Sequence, residues 1–166
     1  MEKVSAFLRR KDIVFSPKRY FIDAMSAMAQ GLFCTLLVGT ILNTLGTQLH
    51  IGFLTDIIVT LGKGDGAVRY TIGGLCSAMV GPGMAVAIGQ ALNAPPMVLF
   101  SLIPVGFATN AMGGAGGPLA VLFVAIIAAE IGKAVSKETK IDILVTPIVT
   151  ILSGIGAAAL IAAPIG

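Results

Sequence analysis

The chain has 166 residues, of which 56% are hydrophobic and only 11% charged, with a net charge of +3 and a mean hydropathy of +0.97. A soluble domain carries about 25% charged residues, so this composition excludes an ordinary water-soluble globule and places the chain in a bilayer. The basic residues are clustered, which ties the charge to membrane topology and excludes nucleic-acid binding as its reason.

Residues 1–19 read as a basic cytoplasmic arm, carrying Lys3, Arg9, Arg10, Lys11, Lys18 and Arg19. Val4, Phe7 and Leu8 beside the basic run suit a membrane surface. Residues 20–166 read as a transmembrane helical domain. The apolar run from about residue 21 exceeds a signal-peptide core, so no cleavable signal is read there. Its first span, roughly 21–47, is long enough to cross a bilayer with tilt. The next segment, 51–61, places Ile51, Leu54, Ile58 and Leu61 at helical spacing but is too short to span, which predicts an interfacial or re-entrant helix. A second span covers about 70–92, interrupted at Gly81-Pro82-Gly83. A third, about 96–109, opens at Pro95-Pro96 and is broken at Pro104. A glycine-rich break follows, then a fourth span at about 117–133 and a fifth at about 141–163 with Pro147 inside it. The expected fold class is therefore an all-α polytopic membrane protein: about five transmembrane helices plus one short helix, forming part or half of a larger helical transporter.

With the arm in the cytoplasm, five spans place Lys133, Lys137 and Lys140 on the same side. Nine of the eleven basic residues then satisfy the positive-inside rule, and only Lys63 and Arg69 lie outside. Small or polar residues recur every fourth position in span one (Asp23, Ala27, Gly31, Thr35, Gly39, Asn43, Thr47) and in span five (Thr146, Thr150, Gly154, Ala158, Ala162). Such stripes let helix backbones approach closely, because lipid offers no hydrophobic gain for association. Asn43 or Thr35 lining a solute path is the sharper reading of the first stripe. Cys34 and Cys76 lie in apolar runs without metal spacing and read as reduced packing residues.

Candidate chemistry is sparse. Irregular backbone at membrane depth is tolerated only where protein or water satisfies it, so the break Ala108–Ala120 is either a cavity lining or a plain turn. Asn110 within it offers donor and acceptor groups suited to hydroxyls, with Thr109 beside it. Glu130 is the one acid well inside a predicted span and is a functional candidate on that ground; its nearness to Lys133 equally suits an ion pair at the surface. Asp23 reads as a first-turn acid favoured by the helix dipole. His50 and Asp56 lie near the outer surface. No catalytic grouping, metal-ligand spacing, cofactor motif or phosphate-binding loop is read, so any phosphoryl chemistry must come from another chain.

The stretches "VFSPKRYFIDAMSAMAQGLFCTLLVGTIL" and "GGAGGPLAVLFVAIIAAEIGKAVSKETKIDILVTPIVTIL", with the closing "APIG", resemble the membrane subunit, enzyme IIC, of the bacterial sugar phosphotransferase system. The similarity is to a divergent branch akin to the fructose and mannitol type. It implies a multi-pass permease of the bacterial inner membrane, usually a homodimer, that moves a sugar or polyol while IIA and IIB partners supply phosphate. By position, Asn110, Gly113, Gly114, Gly116 and Gly117 resemble its glycine-rich loop, with Glu130 in the following span; with Thr109 and with Asn43 of the first stripe, these are the expected solute-binding residues. The alternative is a non-transporting membrane sensor or scaffold derived from the same fold.

Overall fold

The computed structural model describes residues 2–138 and 140–165. An arm helix, α1 (Glu2–Arg10), precedes a long helix α2 (Lys18–Gln48). A four-residue helix α3 (Gly52–Thr55) and a two-stranded hairpin, β1 (Val59–Leu61) and β2 (Val68–Tyr70), follow. Then come α4 (Ile72–Ala78), α5 (Val80–Ala91), α6 (Pro96–Met112), α7 (Gly117–Val135) and α8 (Asp142–Ile161). Three helical stretches, Lys18–Gln48, Gly114–Val135 and Asp142–Ile161, are long and apolar enough to span a membrane, and the α4–α5 pair, bent by 51°, makes a fourth. The 17-residue α6 is apolar and runs between them. This is the expected all-α membrane architecture.

The four helices α5–α8 pack together, and α2 lies along α5 and α4. Bulky side chains face outward: Leu36, Ile41 and Leu45 on α2, and Ile143, Leu152 and Leu160 on α8, are exposed. Small residues face inward, including Thr146, Thr150, Gly154 and Ala158 on α8. That distribution reverses the soluble pattern and suits helices solvated by hydrocarbon. On α2 the buried face carries Ala27, Gly31, Gly39 and Gly46. Gly31 and Gly39 are eight residues apart, which in a regular α-helix would rotate Gly39 about 80° off that face. A wide π-turn at Phe33–Leu37 accommodates an extra residue, about 100° of rotation, and returns Gly39 to the contact.

Three sequence expectations are corrected. Segment 51–61 is helical only over Gly52–Thr55; Val59–Leu61 pairs antiparallel with Val68–Tyr70. The β-branched run Ile57–Thr60, followed by glycines with positive φ at Gly62 and Gly64, outweighs the helical spacing. The second span breaks at Met79, not at Gly81-Pro82-Gly83. Pro82 sits in the first turn of α5, where its missing N–H costs nothing. Gly81 and Gly83 serve close packing instead. A Cβ on Gly81 would overlap the Gly106 carbonyl of α6, and one on Gly31 of α2 would lie 2.5 Å from the Gly83 carbonyl oxygen. Finally, Pro104 does not break α6, which continues to Met112.

Candidate functional site

The arm folds back onto the ends of α5 and α7. The α5 helix ends at Leu92, and Asn93 takes a left-handed conformation with φ 55°, leaving the Leu92 carbonyl to accept from outside the helix. Arg19 Nη2 donates to it at 2.8 Å and Lys133 Nζ at 2.8 Å. Cations at a helix C-terminus are favoured by the helix dipole. Lys133 is 1% exposed and donates also to the Asp12 carbonyl at 2.9 Å, while its Nζ stands 3.0 Å from Glu130 Oε2. Two of its three N–H groups serve these carbonyls, and the contact with Glu130 is an ion pair; neither Glu130 oxygen nor the Tyr20 hydroxyl completes a directional hydrogen bond. Asp12 accepts from Arg19 at 2.7 Å and from Asn93 Nδ2 at 2.9 Å. Lys11 pairs with Glu138 at 2.7 Å and bonds the Ser136 carbonyl, and Arg10 also reaches Glu138 at 2.8 Å. Arm and α7–α8 loop therefore share one end of the bundle, and the hairpin bearing Lys63 and Arg69 follows the far end of α2.

The Arg19 guanidinium, followed by the Asn93 amide, holds Asp12 at a pKa of about 2, below its ordinary value of 3.8. The Lys11 ammonium beside Glu138 likewise lowers that carboxyl. A depressed carboxyl pKa contributes stability above the unfolded value and loses it as pH falls through the folded one. The clasp is therefore expected to be intact at neutral pH and to loosen as pH drops from about 4 towards 2. Proteolysis at the arm, read as a function of pH, checks this, and Asp12→Asn should make the arm cleavable at neutral pH.

A second polar feature lies between α2 and α5. Asp23, Ser26 and Gln30 on α2 face Gln90 on α5 across a cleft of about 350 Å³ floored by Ala27, Ala87 and Ala91. The α2 trio recurs at spacings of three and four, one helical face, and all four polar residues are exposed. Gly31 packs on Gly83 one residue past Gln30, so the helices close together there. The cleft reaches from the arm end to this crossing. Carboxylate, hydroxyl and amide groups together offer both donors and acceptors.

The residues expected from the sequence to bind solute fall in three places. Thr109 is buried and its hydroxyl donates to the Val105 carbonyl at 2.7 Å. Asn110 is half-buried, its Oδ1 against Gly117, and Gly113 packs on Gly117 and Gly116 on Ile165. Gly114, with φ 48°, turns the chain. These residues are brought together at the end of the bundle remote from the arm. Asn43, on α2, accepts from the Thr71 hydroxyl at 3.4 Å, and Thr71 caps α4 by accepting from Gly74 N at 3.1 Å. Glu130 is not brought to the glycine turn: thirteen residues of α7 separate it from Gly117, about 20 Å along the axis. Sequence reasoning missed the cleft, although the period of Asp23, Ser26 and Gln30 was there to be read, and it counted Lys133 as a topology charge at the end of a span.

Residues 22–166 match the family described as Phosphotransferase system, EIIC. The chain belongs to the phosphotransferase-system EIIC family. No curated protein and no solved structure matches it. The matched region takes in the helices of the bundle, the cleft and the glycine turn, while the arm from Glu2 to Arg19 lies before it. As an EIIC protein it is a membrane component of a transport system in which IIA and IIB partners handle the phosphoryl group.

Proposed function

We propose that this EIIC protein is a permease for a sugar or polyol and that the cleft between α2 and α5 holds the solute. The observation that carries the reading is the set Asp23, Ser26, Gln30 and Gln90 around about 350 Å³. That volume is at the scale of small-molecule sites, and these groups match a molecule rich in hydroxyls. Exposed polar side chains on a helix within a bilayer must face water or protein, which fits a solute path. The clustering of basic residues at the arm end supports a cytoplasmic N-terminus in a bacterial inner membrane. On that orientation the cleft opens to the cytoplasm and the Gly31–Gly83 crossing separates it from the outside. IIB would meet the solute from the arm side, and pairing of two copies would give the exposed polar stripe of α2 a protein neighbour.

Asn110 and its glycines are a second solute-contact candidate at the outer end of the same route. Solute binding to the complete protein in detergent, measured as thermal stabilisation against a panel of sugars and polyols, separates the two. Gln30→Ala and Asp23→Asn are each expected to weaken binding about tenfold, the worth of one well-placed hydrogen bond, with Asn110→Ala close to unchanged. The reverse pattern would move the site to the glycine turn, and no stabilisation by any solute in the panel would remove the sugar or polyol assignment.

A further inference from the structure

An apolar groove of about 420 Å³ lies between the arm and α7. Phe7, Leu8, Ile13 and Phe15 of the arm form one wall; Ile127 and Ile131 of α7 form the other. The α7 wall continues an exposed strip of Leu119, Phe123, Ile127 and Ile131 at four-residue spacing, which in a spanning helix faces hydrocarbon. The groove is thus where the lipid-facing surface of α7 runs beneath the arm. Exposed cations adjoin the groove's arm residues along the sequence. Arg9 follows Leu8, Lys18 lies between Phe15 and Tyr20, and Lys3 is one turn from Phe7; all three are exposed. None of the three makes an ion pair among the described residues, whereas Arg10 and Lys11 are taken by Glu138. The Tyr20 hydroxyl is buried beside the Glu130 carboxylate. Glu130 also lines the groove, and its charge is met by Lys133 at 3.0 Å.

We propose that this groove binds one anionic phospholipid, its acyl chain lying between the arm and α7 and its phosphate meeting Lys3, Arg9 and Lys18. The apolar walls accept the chain as the bilayer itself does. The cations at the helix-end level supply the headgroup attraction. The bound lipid would then pin the arm against α7 and support the clasp that closes α5. This proposal is independent of which solute the protein carries.

The test uses the full chain in phosphatidylcholine nanodiscs containing a minority of phosphatidylglycerol. Co-purifying lipid is counted by native mass spectrometry after release. The wild type is expected to retain phosphatidylglycerol over phosphatidylcholine by about tenfold, as several cations near one anionic headgroup would produce. Arg9→Gln with Lys18→Gln should remove that preference. Ala134→Trp, which fills the groove, should remove the retained lipid while leaving the melting temperature within the range of the other variants. If that variant misfolds, photoactivatable acyl-chain phosphatidylglycerol on the wild type gives the answer, with labelling expected on residues 7–15 and 126–134. Equal retention of the two lipids by the wild type would overturn the proposal. So would labelling confined to the outer faces of α2 and α8. Displacement of the lipid by soluble glycerol phosphate at equal concentration would make this a free-phosphate site and overturn it as well.

Discussion

Replacing Lys133 by methionine is expected to destabilise the protein by about 3–5 kcal/mol, the cost of stripping one partner from a buried ion pair. The methionine fills the space of the lysine stem, so the loss is polar. Glu130 loses its one ion pair among the described residues, and the Asp12 carbonyl loses the donor it has at 2.9 Å. The Leu92 carbonyl keeps Arg19 at 2.8 Å, so the end of α5 is only partly orphaned. Combining Lys133→Met with Glu130→Leu should recover most of the loss, because a buried pair replaced as a unit by apolar residues is often neutral. Unfolding of detergent-solubilised protein by a graded denaturant measures both variants. A single-variant cost below about 1 kcal/mol would mean that water reaches Lys133 and that the clasp is an ordinary surface contact.

Alanine at Gly81 or at Gly106 is expected to cost about 1–3 kcal/mol or more, as overpacking of a close contact does. The two glycines are reciprocal: a Cβ on either overlaps the carbonyl of the other. The first would also lie 2.6 Å from Asn110 Cβ and the second 2.6 Å from Ala85 Cβ. The obstruction is backbone, so no rotamer change relieves it, and α5 must move away from α6. Gly156→Ala on α8 is the control, since nothing lies within 4 Å of the added carbon. There the gain in helix propensity should leave stability unchanged or raised by up to about 1 kcal/mol. The double variant at Gly81 and Gly106 should cost less than the sum of the singles, because one helix displacement serves both. Additive losses would show that the two helices do not cross where these glycines meet. Separating α5 from α6 also shifts the wall that carries Gln90, so any solute bound in the cleft should be lost along with stability.

The resemblance to enzyme IIC, read from Gly and Pro placement and apolar runs, agrees with the family match over residues 22–166. The residues around the site were less legible. Asn110 was singled out as a donor and acceptor within the glycine-rich break, yet the glycines of that break meet protein atoms: Gly113 meets Gly117, Gly116 meets Ile165 and Gly117 meets Asn110. Glycine marks close backbone approach as readily as it marks a cavity, and spacing along one chain does not separate the two. Lys133 was counted among topology charges. Its burial depends on a carbonyl at Leu92 and another at Asp12, which are 41 and 121 residues away along the chain.

The sequence by itself determined the solvent, the helical class, the long helices to within a few residues and the sharing of one end of the bundle by the arm and the loop after α7. Each follows from composition, run length and charge placement, which are local or additive properties. Only the tertiary structure decided where the backbone bends, which glycines are contacts, and that Asp23, Ser26 and Gln30 meet Gln90 across a cleft. Those outcomes depend on pairs of helices distant in the chain. In particular, the π-turn at Phe33–Leu37 rotates the second half of α2, and no periodicity counted at 3.6 residues per turn contains that rotation.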